Sequence, residues 1–202
     1  MAQDKILIIY DWDDTIFFTH FLLEQGIRLD ELINIKKYIV YFNELDIVVS
    51  KLLNVSISIG KVLIITNATT EWVLTSKKFL PRTSKIIDNH VKIISARDIY
   101  NRIYDMSEWK SRVFKNNIIN YIQWANQIIS VGDSMYEYEA LISLSPFISH
   151  NKYLKTIQFV QSPSVDTLLD QLNVLSKSLS EISQKHNHMD LRILQSNDMM
   201  FD

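Results

Sequence analysis

Four short runs of mostly β-branched apolar residues, KILIIY (5–10), KVLIIT (61–66), VKIISA (91–96) and QIISVG (127–132), constrain this chain more than any other feature. Each is too short for a buried helix and almost continuously apolar, the pattern of a strand covered on both faces of a parallel sheet. A fifth run, KTIQFV (155–160), is a weaker candidate. Parallel neighbours need long crossovers, and the intervals carry helical spacing. Residues 29–53, with Leu29, Leu32, Ile33, Ile39, Val40, Val48, Val49, Leu52 and Leu53, fill the first crossover. Trp109, Val113, Phe114, Ile118 and Ile122 mark a helix over 109–122. The expected architecture is α/β: a doubly wound, three-layer α/β/α sheet of Rossmann-like type with right-handed crossovers.

In 165–182 the series Leu168, Leu172, Leu175, Leu179 and Ile182 alternates steps of four and three. Two heptads of this spacing suit a final helix packed on the sheet, and leave open a weak seam for self-association. The 202 residues read as one domain over 1–185 and a C-terminal tail, 186–202, whose pattern assigns no structure.

Composition removes several function classes. Lys and Arg total 21 against 23 Asp and Glu, a net charge of −2, so there is no basic field to recruit nucleic acid or an anionic membrane surface. The absence of cysteine excludes disulfides, thiolate metal sites and thiol nucleophiles. The first apolar run, Ile6 to Tyr10, is too short for a signal segment or a membrane span. An intracellular, cytoplasmic protein is expected, with a nuclear location also open. With only Gly26, Gly60 and Gly132, the chain has neither a Walker A loop nor a dinucleotide fingerprint. Any phosphate it handles needs other cradles and local cations.

The ends of the runs supply them. In an open α/β sheet, ligands bind beyond the carboxyl ends of the strands. The first run leads into Asp11-Trp12-Asp13-Asp14-Thr15, where Asp11 and Asp13 can point the same way from an extended segment. Converging carboxylates repel unless a cation joins them, and oxygen donors suit Mg²⁺. One carboxylate could attack phosphorus while its neighbour moves a proton. The same residues could also simply cap a helix. The second run ends in Thr66-Asn67, a hydroxyl and free N–H groups fit to hold phosphate, and equally fit to cap a turn. The fourth ends in Gly132-Asp133, with Glu137 one helical turn further on; Gly132 is read as supplying backbone freedom. Lys110, ahead of the fourth run, offers the counter-charge a phosphoryl site requires. The five histidines make no metal-ligand pattern.

Taken in order, DxDxT, Thr, Lys and GDxxxE resemble the four motifs of the haloacid dehalogenase (HAD) phosphatase superfamily. Longer stretches, DWDDT, TNATTEWV (66–73), FLP (79–81), ISAR (94–97), WK (109–110), GDSMYEYEA (132–140) and KTIQFVQSPS (155–164), resemble a group of small HAD-like proteins from plants, protists and other eukaryotes. The resemblance implies Asp11 as nucleophile, Asp13 as general acid and base, and Thr66 with the Asn67 backbone as phosphate holders. It makes Lys110 the charge clamp that also holds phosphate. Asp133 would bind Mg²⁺ directly, completed by the Asp11 carboxylate and the Asp13 carbonyl, with Glu137 and Thr15 one layer out. Arg97, at the end of the third run, would form an ion pair or touch substrate.

Thr15 to Thr66 spans 51 positions and Thr66 to Lys110 spans 44, too few to add a large cap domain to the scaffold. The expected activity is a Mg²⁺-dependent phosphomonoesterase acting on a phosphoprotein or another bulky phosphoester, with small molecules still open. A phosphate- or phosphoprotein-binding module with little turnover is the alternative, and a two-metal nuclease a third reading.

Overall fold

The computed structural model describes residues 5–31, 35–149, 151–193 and 199–201, the last for backbone only. All five expected runs form strands: β1 (Ile6–Tyr10), β2 (Lys61–Thr66), β3 (Lys92–Ser95), β4 (Gln127–Gly132) and β5 (Tyr153–Gln158). The tail adds β6 (Met189–Ile193) and β7 (Met199–Phe201). The sheet order is β3-β2-β1-β4-β5-β6-β7, parallel through β6, with β7 antiparallel at the edge. The order reverses between β1 and β4, which makes the crevice outside their carboxyl ends the natural ligand position.

Continuous apolar strands follow from two cores. Ile6, Ile8 and Tyr10 enter one core, while Leu7 and Ile9 enter the other. The first core is filled by α2 (Ile39–Ile59) and by α9 (Val165–Gln184). The second is filled from 109–144, including Trp109, Phe114, Ile122 and Leu141. The remaining helices are α1 (Thr19–Glu24), α3 (Thr70–Ser76), α4 (Pro81–His90), α5 (Ala96–Tyr100), α6 (Met106–Arg112), α7 (Ile119–Trp124) and α8 (Met135–Ile142). This is a three-layer α/β/α, Rossmann-like fold. Among the described residues only the short α1 and helical residues 35–36 lie between β1 and α2, with no large cap over the crevice. No helix among the described residues is long and apolar enough to cross a membrane.

Two helix boundaries differ from the spacing. The helix expected over 29–53 runs from Ile39 to Ile59. Ahead of it, Arg28 pairs with Asp30 at 2.8 Å, a contact between positions i and i+2 that a helix does not allow. Leu32 and Ile33 lie outside the described residues. The helix expected over 109–122 is split into α6, a π turn over Val113–Asn117, and α7. The break falls at Asn116, Asn117 and Ile118, poor helix formers, where Ile118 takes φ −119° and ψ 13°.

The apolar series of α9 is buried in the chain's own core, from Leu168 through Ile182. The helix is also tied down at its end. The buried Lys155 ammonium donates to the Ile182 and Lys185 carbonyls and to Gln127 Oε1, at 2.5 Å each, closing the C-terminal carbonyls with a cation.

Candidate active site

At the carboxyl end of β1 the chain leaves the sheet as Asp11, whose N–H still donates to Val131 O of β4 at 2.9 Å. That bond keeps Asp11 at the switch point. Trp12 turns into the core, stacked on Phe17 at 5.9 Å. Asp14 takes φ 52°, a left-handed turn that Asp tolerates, and its Oδ1 accepts the His20 N–H at 2.8 Å. The turn returns the chain so that Asp13 bridges Phe17.

Four groups expected from the sequence come together here. Lys110, on α6 and 2% exposed, places Nζ 2.8 Å from Asp11 Oδ1 and also pairs with Glu137 Oε1. Carboxylate oxygens of Asp11, Asp133 and Glu137 lie within 4.8 Å of one another. Ser134 and Glu137 form a capping box at the start of α8, with Ser134 Oγ donating to Glu137 Oε2 at 2.6 Å. This box turns the Glu137 carboxylate back over the strand end. Gly132 has no positive φ; its role is space, since a Cβ there would sit 2.2 Å from Glu137 Cγ and 2.6 Å from its Oε2.

One ammonium faces three carboxylates, and the surplus is electrostatically costly. Burial pushes the Asp11 carboxyl up to about 7; Lys110 opposes the rise, and Glu137 and Asp13 add to it. Burial, then the charges of Asp11, Glu137 and Asp14, push Asp133 up to about 8. Burial favours the neutral Lys110 amine, but Asp11 and Glu137 outweigh it and hold the ammonium above its ordinary range. Asp11 Oδ1, although close to that ammonium, has no aligned hydrogen-bond donor. Buried oxygens in surplus, at least one unsatisfied, could hold a metal ion, and the all-oxygen set suits a hard divalent one.

The structure gives the carboxylates of the two motif aspartates different partners. The Asp13 carboxylate lies apart from the acid trio: its Oδ1 accepts from Trp72 Nε1 at 2.8 Å and from Thr19 Oγ1 at 2.5 Å. Glu137, expected one layer out, has its carboxylate inside the trio. On the neighbouring strand, Thr66 is fully buried and its Oγ1 accepts the Ala68 N–H at 2.9 Å, shaping the turn after β2. Within the same motifs, both side-chain amide atoms of Asn67 and the Thr15 hydroxyl are among the buried groups without a hydrogen bond. Such groups are costly unless a ligand completes them. Arg97 sits over the Trp109 ring at 5.9 Å, and no ion pair holds it among the described residues.

Sequence spacing missed Trp72 and Thr19. Trp72 stands 59 positions from Asp13, and the only signal was its place inside TNATTEWV, just after the second strand.

No protein-family model matches this chain, and no curated protein matches its sequence. Among solved structures, it is similar to a crystal structure of the Legionella pneumophila effector Ceg4 with an N-terminal yeast Hog1p sequence. The TM-score is 0.51 at 13% identity, over 90% of this chain and 97% of that one. At that identity the likeness is one of fold, and it agrees with the three-layer α/β/α architecture.

Proposed function

We propose that this protein is a metal-dependent phosphomonoester hydrolase of haloacid dehalogenase type that works through an aspartyl phosphate on Asp11. One observation carries the reading: Asp11 sits buried at the switch point, 2.8 Å from the Lys110 ammonium and with a carboxylate oxygen within 4.8 Å of those of Asp133 and Glu137. A carboxylate so placed is hard to explain as a helix cap and well suited to a nucleophile.

An Mg²⁺ ion held by Asp11 and Asp133, with Glu137 beside them, would neutralise phosphoryl oxygens as the two anions approach. An Asp11 carboxylate oxygen attacks phosphorus, the bond from phosphorus to the ester oxygen breaks, and Asp13 gives the departing oxygen its proton. Both hydrogen bonds to Asp13 fall on Oδ1, which leaves Oδ2 to carry that proton. Asp13 then takes a proton from water, whose oxygen attacks phosphorus and releases inorganic phosphate from Asp11. Lys110 favours the ionised form of Asp11 against its burial and offsets charge as the phosphoryl group transfers. Thr15 and Asn67 supply the polar atoms left to hold its oxygens.

An uncovered crevice favours a phosphorylated protein or another bulky phosphoester. The test is hydrolysis of an aryl phosphate with Mg²⁺, with EDTA, and by the Asp11→Asn variant. The expected result is turnover lost in both controls; metal-dependent turnover retained by the variant contradicts the assignment. The unpartnered Thr15 and Asn67 atoms also suit a binding module. Tight phosphopeptide binding without phosphate release would select that second reading.

A further inference from the structure

We propose that Trp72 is a positioning residue for proton transfer, fixing the Asp13 carboxylate so that its second oxygen faces the reacting ester; this rests on the reading of Asp13 as acid and base. An indole N–H can only donate. The Trp72 bond, 2.8 Å to Asp13 Oδ1, therefore commits that oxygen as an acceptor whether or not the carboxyl is protonated. Thr19 Oγ1 donates to the same oxygen at 2.5 Å, so two donors from different elements define the orientation of one carboxylate.

Trp72, half-buried, is itself held by several contacts. Its backbone N–H donates to Thr69 Oγ1 at 3.1 Å, the cap of α3. Its ring stands edge-on to Phe17, with centroids 6.1 Å apart and planes at 84°. Its carbonyl accepts from Ser76 Oγ at 2.7 Å, and the same hydroxyl accepts from Trp12 Nε1 at 2.9 Å. Trp12 lies in the chain between Asp11 and Asp13. The nucleophile loop is thus fastened to α3 at two points, by one indole leaving that loop and one indole reaching into it. Since α3 follows the Thr66-Asn67 turn, the Trp72 bond sets the acid in register with the groups that hold phosphate.

A tie that only joined two loops would affect all substrates alike. A tie that positions an acid matters most where the leaving group needs a proton. The experiment measures kcat and KM for the full chain with Mg²⁺ on nitrophenyl phosphate, whose leaving anion is stable, and on phenyl phosphate, whose leaving anion is not. For Trp72→Phe the expected loss in kcat/KM, which reports transfer to Asp11 and not the later hydrolysis common to every ester, is about tenfold on phenyl phosphate and about twofold or less on nitrophenyl phosphate. Equal losses in kcat/KM on both esters, or no loss, overturn the proposal. Should Trp72→Phe melt below the assay temperature, the near-isosteric Thr19→Val decides on the same criterion, because it removes the other bond to Oδ1. A folded wild-type chain that turns over neither ester overturns the hydrolase reading itself, and this inference with it.

Discussion

Lys110 Nζ lies 2.8 Å from Asp11 Oδ1, with the two residues 2% and 7% exposed, and the same ammonium also pairs with Glu137. The fold has therefore placed a cation where two strands part and gathered acids around it in excess. Each consequence of that imbalance can be measured.

Removing the cation should be costly. Lys110→Met leaves Asp11 and Glu137 buried without their counter-charge, and breaking such a pair costs about 3 kcal/mol or more. Urea unfolding in EDTA measures this. Because the variant keeps its acids and loses the buried ammonium that pairs with them, Mg²⁺ should raise its melting temperature more than it raises that of wild type. An equal increment in both would mean that the ion does not sit among these carboxylates.

The acids should make the metal-free protein less stable as pH rises. Folded-state values of about 7 for Asp11 and about 8 for Asp133 lie above the unfolded value of about 4. The folded state therefore binds protons more tightly; this contribution is complete below about pH 4 and is lost as pH rises toward 8. In EDTA the gap in melting temperature between Asp11→Asn and wild type should widen in favour of the variant from pH 5 to pH 8. A gap that stays constant across this range contradicts the electrostatic picture.

Gly132→Ala tests the packing of Glu137. The new Cβ would stand 2.2 Å from Glu137 Cγ, and Glu137 is pinned by Lys110 and Ser134, so the carboxylate has to move. Overpacking of this kind costs about 1 to 3 kcal/mol. Displacing a carboxylate of the trio should weaken Mg²⁺ binding about tenfold, read by titrating the ion against melting temperature. Unchanged affinity would place Glu137 outside the metal's reach.

Much of this was legible in the sequence, for a physical reason. Strands β1 to β5 are covered on both faces or nearly so, and this writes continuous apolar runs into the chain. β6 escaped because it alternates: Met189, Leu191 and Ile193 pack on the core, while Asp190 and Arg192 are exposed. The 109–122 helix was misread because spacing alone does not reveal a π turn at Asn116 and Asn117. Asp11, Asp133, Lys110 and Glu137 could be paired in advance because each occupies a strand end or the helix beside one. Gly132 was assigned freedom when its service is room, which depends on where Glu137 turns. The bond between Trp72 and Asp13 was not legible, since it depends on how α3 lies across the turn after β1.

The central claim is a covalent phosphoryl group on Asp11. The most direct measurement is acid quenching of the wild-type protein during turnover of an aryl phosphate with Mg²⁺, followed by mass spectrometry of the peptide that carries residues 11–14. The account predicts a phosphoryl adduct on Asp11, absent with EDTA and absent from Asp11→Asn. Turnover with no adduct on Asp11, or with the adduct on Asp133 or another residue, would contradict it.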